Sequence, residues 1–271
     1  MRKIAVIGGG QIGEALIAGL IASDHDPKHI TVTNRRPQRA EELGQRYGVH
    51  TTDDNNEAAA NADVVFLCVK PAGIVDVIDE ISDTVADNDV ATTLVSMVAG
   101  VTLETMEEAI SAAGTSIVRV MPNTPMLVGK GVCAVAPGKF VAEDQLDYVV
   151  KLLEATGRVV VVPESQMDAV TALSGSGPAY IFLVAEAMID AGVSLGVSHD
   201  SARELVSATI AGAGAMLEQE GADPVALRAG VSSPAGTTVA ALRELEESGV
   251  RGAFYRALEK NAERAHELGK Q

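Results

Sequence analysis

The 271-residue sequence predicts an α/β protein: a doubly wound, largely parallel sheet in its first part and an all-helical second part. Three observations predict this. Strand-like and helix-like segments alternate through the first 163 residues, the pattern of a sheet covered on both faces. A glycine-rich turn, GGGQIG, stands at the first strand-to-helix junction. After Pro163 the texture changes, and no convincing strand pattern follows.

The elements are expected in this order. Residues 3–7 (KIAVI) form a short buried strand, followed by a helix over 11–23. A second strand covers 30–33, a helix 38–47, and a third strand 63–69 (DVVFLCV). Residues 74–81 are helical by period, 91–96, 116–121 and 132–136 are strands, 144–155 a helix, and 158–162 the last strand. The closing strands have short spacers, which allows an antiparallel edge. In the second part, 167–191 reads as helix broken by 175-GSGP-178. Ser198 caps a helix running to about residue 220. Asp223 and Pro224 open a short helix as cap and first-turn proline. Helices over 237–247 and 252–268 complete the set, so the domains are expected at 1–163 and 164–271.

Composition narrows the function classes. The chain carries 37 Asp+Glu against 21 Lys+Arg, a net charge of −16. Phosphate backbones and anionic membranes repel such a surface, so neither nucleic acid nor membrane is an expected partner. The acid is scattered, as in 104-ETMEEA-109, and reads as a solvated surface or as adaptation to a salt-rich, halophilic cytoplasm where self-repulsion is screened. Aromatics are 3% while the AVILMFWYC set is 47%, so the core must be aliphatic. Cys68 and Cys133 lie in apolar runs and are expected as buried, reduced thiols. The five histidines show no metal-ligand spacing, so no metal is predicted. MRKIAVIGGG imitates a signal peptide only briefly, and no run of ~18 consecutive apolar residues follows. These features predict a soluble, cytoplasmic protein.

The segment 4-IAVIGGGQIGEAL-16 contains Gly8-x-Gly10-x-x-Gly13 in the strand–turn–helix context that dinucleotide binding requires. Gly8 permits the tight turn, Gly10 lets the backbone approach a pyrophosphate, and Gly13 lets the helix pack on the strand. Gln11 and Ile12 lie on the opening turn of that helix, whose N–H groups face phosphate. The first part is therefore read as Rossmann-type. An acid at the end of the second strand would hold ribose hydroxyls, but 33-TNRRP-37 has Asn34 there, then Arg35 and Arg36. Two guanidiniums suit a 2′-phosphate, so NADPH is the predicted cofactor, with NADH as the alternative. In 69-VKP-71, Val69, Lys70 and Pro71 end the third strand at the ligand-binding edge, with Lys70 in reach of ribose or phosphate.

Glycine-rich polar segments 119-RVMPNTP-125, 173-LSGSGPAY-180 and 231-VSSPAGTTVAAL-242 stand out elsewhere. The last runs into a helix and can present N–H groups and hydroxyls to a small carboxylate, or simply form a well-capped helix start. The 212-GAGA-215 stretch suits close helix approach, within the chain or between subunits.

The blocks IGGGQIGEALIAGL, TNRR, FLCVKP, VRVMPNTP, ALSGSGPAY and VSSPAGTT…LRELEESGVRGAF together closely resemble the pyrroline-5-carboxylate reductase family over nearly the whole chain. The resemblance implies an NAD(P)H-dependent reduction of 1-pyrroline-5-carboxylate to proline, EC 1.5.1.2. It implies a Rossmann domain followed by a helical dimerisation domain, two interlocked subunits, and dimers that often assemble as decamers. It implies a substrate site where the two domains meet, with Ser233, Gly236, Thr237 and Thr238 around the substrate's carboxylate and imine. Thr238 is then the catalytic hydroxyl near the imine nitrogen, with water or an already protonated substrate as other proton sources. Asn123 is placed by the nicotinamide. Two residues depart from the family pattern: Ala235 replaces a usual glycine, and Gly230 a common polar residue. A protonated cyclic imine is already electrophilic, so placement of the reactants can supply much of the rate without a His, Cys or Glu. Two other readings stand beside this one. A related imine or 2-hydroxyacid reductase is disfavoured by the absence of lysine from 164–257, which leaves Lys260 as the candidate. A non-catalytic NADP-binding sensor is disfavoured by the intact SSPAGTT loop.

Overall fold

The computed structural model describes residues 2–269. The first strands and helices are β1 (Ile4–Ile7), α1 (Gln11–Ala22), β2 (Ile30–Thr33), α2 (Pro37–Tyr47), β3 (His50–Thr52), α3 (Asn55–Ala59), β4 (Val64–Leu67), α4 (Ile74–Ala86), β5 (Thr93–Ser96) and α5 (Leu103–Ala109). They continue with β6 (Ser116–Met121), β7 (Gly131–Pro137), α6 (Glu143–Glu154) and β8 (Gly157–Val161). One sheet has the order β3-β2-β1-β4-β5-β6-β7-β8. The strands β1 to β6 are mutually parallel, β7 runs antiparallel to β6, and β8 is parallel to β7. The chain therefore reverses direction once, at β6–β7, and the last two strands share the reversed direction.

The central strands β1 and β4 read as continuous apolar runs because both faces are covered, whereas the edge strands β3 and β8 are open. Side chains alternate between two cores, as the pleat demands. Ile4, Val6, Val64, Phe66, Val95, Val118, Val120, Cys133 and Val135 join one core with residues of α1 and α6. Ala5, Ile7, Val65, Leu67, Leu94, Ile117, Ala134 and Ala136 join the other with Ile74, Ile78 and Ile81 of α4. Full burial of each Val, Leu, Ile or Phe among them stabilises by about 1.5–3 kcal/mol. Both cysteines are free; Cys133 is buried, and Cys68 is half-buried as a residue while its thiol is enclosed against the core, as expected. Burial pushes the Cys68 thiol up to about 12 and the Cys133 thiol to about 11.

After β8 the strands cease among the described residues. The remaining helices are α7 (Met167–Val170), α8 (Gly177–Ser194), α9 (His199–Leu217), α10 (Pro224–Gly230), α11 (Thr237–Glu247) and α12 (Val250–Leu268). Ser198 Oγ accepts from the Ser201 N–H at the start of α9, and Asp223 accepts from Val225 and Ala226 at the start of α10. The expected break falls at GSGP: α7 gives way to a π-turn over Thr171–Gly175, Ser176 is a bend, and α8 begins at Gly177. Met121 packs directly over Gly175, where a Cβ would lie 2.5 Å from Met121 Cε and displace the end of that side chain.

The chain forms two compact units: one runs to Ser176 and resumes at Lys260, and the other is Gly177–Glu259. They divide later than the composition change after Pro163. Residues 164–176 pack with the sheet: Glu164 accepts from Arg119 at 3.0 Å and from the Leu103 N–H at 2.6 Å. The end of α12 belongs there too, with His266 Nδ1 3.1 Å from Asp168 and Asn261 donating to Ser176.

The second unit differs in burial. Only Ala202 and Val206 are buried in it. Phe182 and Leu183 are each 65% exposed, and Leu205 and Tyr255 are likewise open. The helical stretch Glu164–Ser194 contains an 18-residue window of mean hydropathy 1.3, long and apolar enough by length and composition to cross a membrane. No single run of consecutive apolar residues had shown this.

Candidate functional site

The carboxyl ends of the parallel strands gather the candidates of the first unit. Gly8–Gly13 follow β1, Asn34–Arg36 follow β2, Val69–Pro71 follow β4, and Asn123 follows β6. The sheet order places β1 between β2 and β4, so chain connections leave in opposite directions from it, which opens a crevice at that edge.

The glycine turn is built by close approach. Gly8 has φ +106°, and a Cβ on it would lie 2.6 Å from the Cys68 carbonyl oxygen. A Cβ on Gly13 would lie 2.2 Å from the Gly8 oxygen, which is how α1 comes down on the turn. Gly9, absent from the spacing argument, is crowded by side chains rather than backbone: its Cβ would lie 2.4 Å from Leu43 Cδ1. Gly10 is the opposite case, exposed with nothing within 4 Å, and it is the N-cap of α1 without a capping side chain. The first N–H groups of α1, on Gln11, Ile12 and Gly13, lack intrahelical acceptors by position. Gln11 is exposed and Ile12 half-buried.

Asn34 Oδ1 accepts from the Arg36 N–H at 2.9 Å, an Asx-type turn that fixes the strand end. Arg35 and Arg36 are exposed, and neither forms an ion pair among the described residues. Lys70 is exposed too, its carbonyl accepting from Gly73 as the chain turns into α4. These three cations stand free at the same edge. Asn123 is 8% exposed, and both ends of its amide are engaged. Nδ2 donates to the Ser174 carbonyl at 3.1 Å and Oδ1 accepts from the Val132 N–H at 2.8 Å. The side chain expected beside nicotinamide thus first ties β6 to β7 and to the π-turn.

Sequence reasoning missed a polar cluster behind the glycine turn. Glu14, in the first turn of α1, accepts from Arg39 of α2 and, at 3.0 and 3.1 Å, from Arg46 and Tyr47. Burial alone would raise its pKa, but hydrogen bonds from Arg39 and Tyr47 and the two guanidinium charges hold it below the usual carboxylate range. A lone acid in the apolar run IGEALIAGL was the available signal.

In the second unit the loop before α11 carries the remaining candidates. Ser233 is exposed, and its carbonyl accepts from the Gly236 N–H at 3.0 Å, closing a turn. A Cβ on Gly236 would lie 2.4 Å from Ser233 Oγ and 3.0 Å from its carbonyl oxygen, so a side chain here would push the Ser233 hydroxyl aside. Ala235 has φ +58°, a left-handed conformation that glycine would adopt without cost. Gly236 is the N-cap of α11 with no capping side chain, and Thr237 and Thr238 occupy the first two helical positions. An uncapped N-terminus flanked by hydroxyls suits a carboxylate. Gly230, the other departure from the expected pattern, ends α10 with nothing near its Cα face.

Fold and edge together define an α/β protein of the dinucleotide-binding type. The family model for NADP oxidoreductase, coenzyme F420-dependent, matches residues 3–100, and that for pyrroline-5-carboxylate reductase dimerisation matches 164–268. A pyrroline-5-carboxylate reductase of Corynebacterium melassecola is 57% identical over 270 residues, covering 100% of both chains. That of Mycobacterium tuberculosis is 45% identical, covering 99% of this chain and 97% of its own. Among solved structures, a pyrroline-5-carboxylate reductase from Coxiella burnetii matches with TM-score 0.95 and 39% identity, over 100% of this chain and 99% of that one. The Plasmodium falciparum pyrroline carboxylate reductase, with NADP bound, gives 0.86 and 29%, over 99% and 98%. The chain belongs to the pyrroline-5-carboxylate reductase family.

Proposed function

We propose that this protein reduces 1-pyrroline-5-carboxylate to L-proline with NADPH, the last step of proline biosynthesis. The observation that carries the reading is end-to-end 57% identity to a pyrroline-5-carboxylate reductase, with a turn before α11 suited to a carboxylate. A reduced nicotinamide supplies a hydride to the imine carbon while the nitrogen holds or gains one proton, so C=N becomes C–H and N–H and the cofactor leaves oxidised.

The protein's own part is binding and placement. The N–H groups opening α1, with Gly10 open beside them, fit a pyrophosphate. Arg35 and Arg36 favour a 2′-phosphate, and Lys70 adds charge at the strand end. Ser233, Gly236, Thr237 and Thr238 hold the substrate carboxylate against the N-terminus of α11, and the Thr238 hydroxyl hydrogen-bonds the ring nitrogen and relays its proton. The apolar faces of the helical unit are buried by a second copy, giving a homodimer that further assembles toward a decamer in the cytoplasm. The segment 164–271 is the functional dimerisation and substrate domain, and 1–163 the cofactor domain. The acidic surface suits a salt-rich interior.

Following NADPH absorbance with pyrroline-5-carboxylate tests the activity, and a salt series tests the solvent reading. NADPH binding without oxidation above blank would favour a sensor. Thr238→Ala is expected to lower kcat by at least about tenfold, the loss of one transition-state hydrogen bond; near-normal turnover removes its role. Replacing Arg35 and Arg36 with Ser should raise KM for NADPH about tenfold or more while leaving NADH unchanged, as lost charge-assisted bonds predict.

A further inference from the structure

The polar cluster behind the glycine turn has no part in the scheme above, yet it reaches the turn directly. Arg39 Nε donates to the Gly9 carbonyl oxygen at 3.1 Å. Its two other nitrogens donate to Glu42, at 3.1 Å, and to Glu14. The guanidinium is therefore spent on the protein and is not held ready for a ligand. Arg39 is three-quarters buried, and Gly9 is wedged between Arg39's own helix, through Leu43, and Asn34.

Peptide geometry gives this contact a consequence. In a planar trans peptide the C=O and N–H point in opposite directions. With the Gly9 oxygen turned toward Arg39, the N–H of the same peptide, on Gly10, is turned away from α2. That N–H has no acceptor among the described residues, and Gly10 lies exposed with nothing within 4 Å of a Cβ placed on it. Glu14 in turn fixes the guanidinium and is itself held by Tyr47 and Arg46. Two cations around one carboxylate also leave the cluster with no net negative charge to oppose a phosphate.

We infer that Arg39 is a positioning residue for cofactor binding: by holding the Gly9 carbonyl it presents the Gly10 N–H to the dinucleotide pyrophosphate, and Glu14 locks it in that orientation. This rests on the dinucleotide reading of the edge. Lysine cannot replace it fully, since an ammonium lacks the fork that spans Gly9 and Glu14.

The test uses the full chain and three variants, Arg39→Met, Arg39→Lys and Glu14→Gln, with NADPH and adenosine 2′-monophosphate as probes. The second probe carries the 2′-phosphate but no pyrophosphate. Arg39→Met should raise KM and Kd for NADPH about tenfold, the scale of one charge-assisted hydrogen bond, with kcat within about threefold. Inhibition by adenosine 2′-monophosphate should stay within about twofold of wild type, whereas a general disturbance of α2 would weaken both probes through Arg36. Arg39→Lys should rescue part of the NADPH loss at an unchanged melting temperature, and Glu14→Gln should show a smaller loss of the same kind. Unchanged NADPH binding in Arg39→Met, parallel weakening of both probes, or full rescue by lysine overturns the inference. Should Arg39→Met fail to fold, Arg39→Lys decides alone: a wild-type KM overturns it and a several-fold rise supports it. A wild-type protein that does not bind NADPH removes the cofactor reading itself, a distinct failure.

Discussion

The two units of this chain meet the same requirement, covering apolar surface, in opposite ways. The first unit closes on itself: its central strands β1, β4, β5 and β6 lie buried between helices, with only the edge strands β3 and β8 open, and Phe66, Leu16 and Ile78 are fully buried. The second carries a comparable share of aliphatic residues but buries only Ala202 and Val206. Helices that hide so little cannot offset the entropy of ordering them, so their stability must come from a partner. GAGA at 212–215 makes the same point, because a Cβ on Gly212 or Gly214 would meet nothing within 4 Å. Within this chain, nothing approaches those glycines closely.

The sharpest way to break this comparison is to charge the open face. Replacing Phe182 and Leu183 with Asp is expected to abolish the dimer and lower turnover by more than about a hundredfold, since an apolar interface tolerates no unpaired charge. Light scattering and NADPH binding would read it together, with a monomer whose first unit still binds NADPH as the expected result. A dimer that survives would show that another surface holds the subunits.

Core truncations sharpen the contrast. Phe66→Ala should cost about 3–5 kcal/mol independently of protein concentration. The loss from Leu183→Ala should grow on dilution, because its burial depends on the second copy. Urea melts at two concentrations distinguish the two.

Acid titration probes the first unit more gently. Glu14 has a folded pKa below its unfolded value of 4.5, so its contribution is present above that pH and lost as pH falls through the folded value. Wild type should lose stability on acidification below 4.5 more steeply than Glu14→Gln. The smallest effect is expected at Ala235. Glycine there relieves the left-handed backbone but adds freedom to the unfolded chain, so Ala235→Gly should shift stability by no more than about 1 kcal/mol. A larger loss would mean that the Ala235 methyl group itself packs against something.

Much of this was legible from residues alone, because long periodic segments and capping residues act locally. The apolar runs of β1, β4 and β6 and the caps Ser198 and Asp223 declared themselves. Three short elements did not: β3 has three residues, α3 five and α5 seven, too few for a period to show. Their stability comes from neighbours, β3 from its ladder with β2 and α3 from the Asp54 cap. The same distinction applies at the cofactor edge. Gly8, Gly10 and Gly13 carry a spacing that reads directly, whereas Gly9, Glu14 and Arg39 matter only because α2 folds back against the turn.

By itself, the sequence determined the alternation of strand and helix, the glycine turn, the cationic strand end at Asn34–Arg36 and the loop opening α11. Each depends on residues close along the chain. Tertiary structure decided the rest. It set the reversed direction of β7 and β8, wound Thr171–Gly175 into a π-turn, and joined Glu14 to Arg39 across 25 residues. It also left the helical unit without a core of its own. Those outcomes depend on which surfaces meet in space, and local pattern does not encode that.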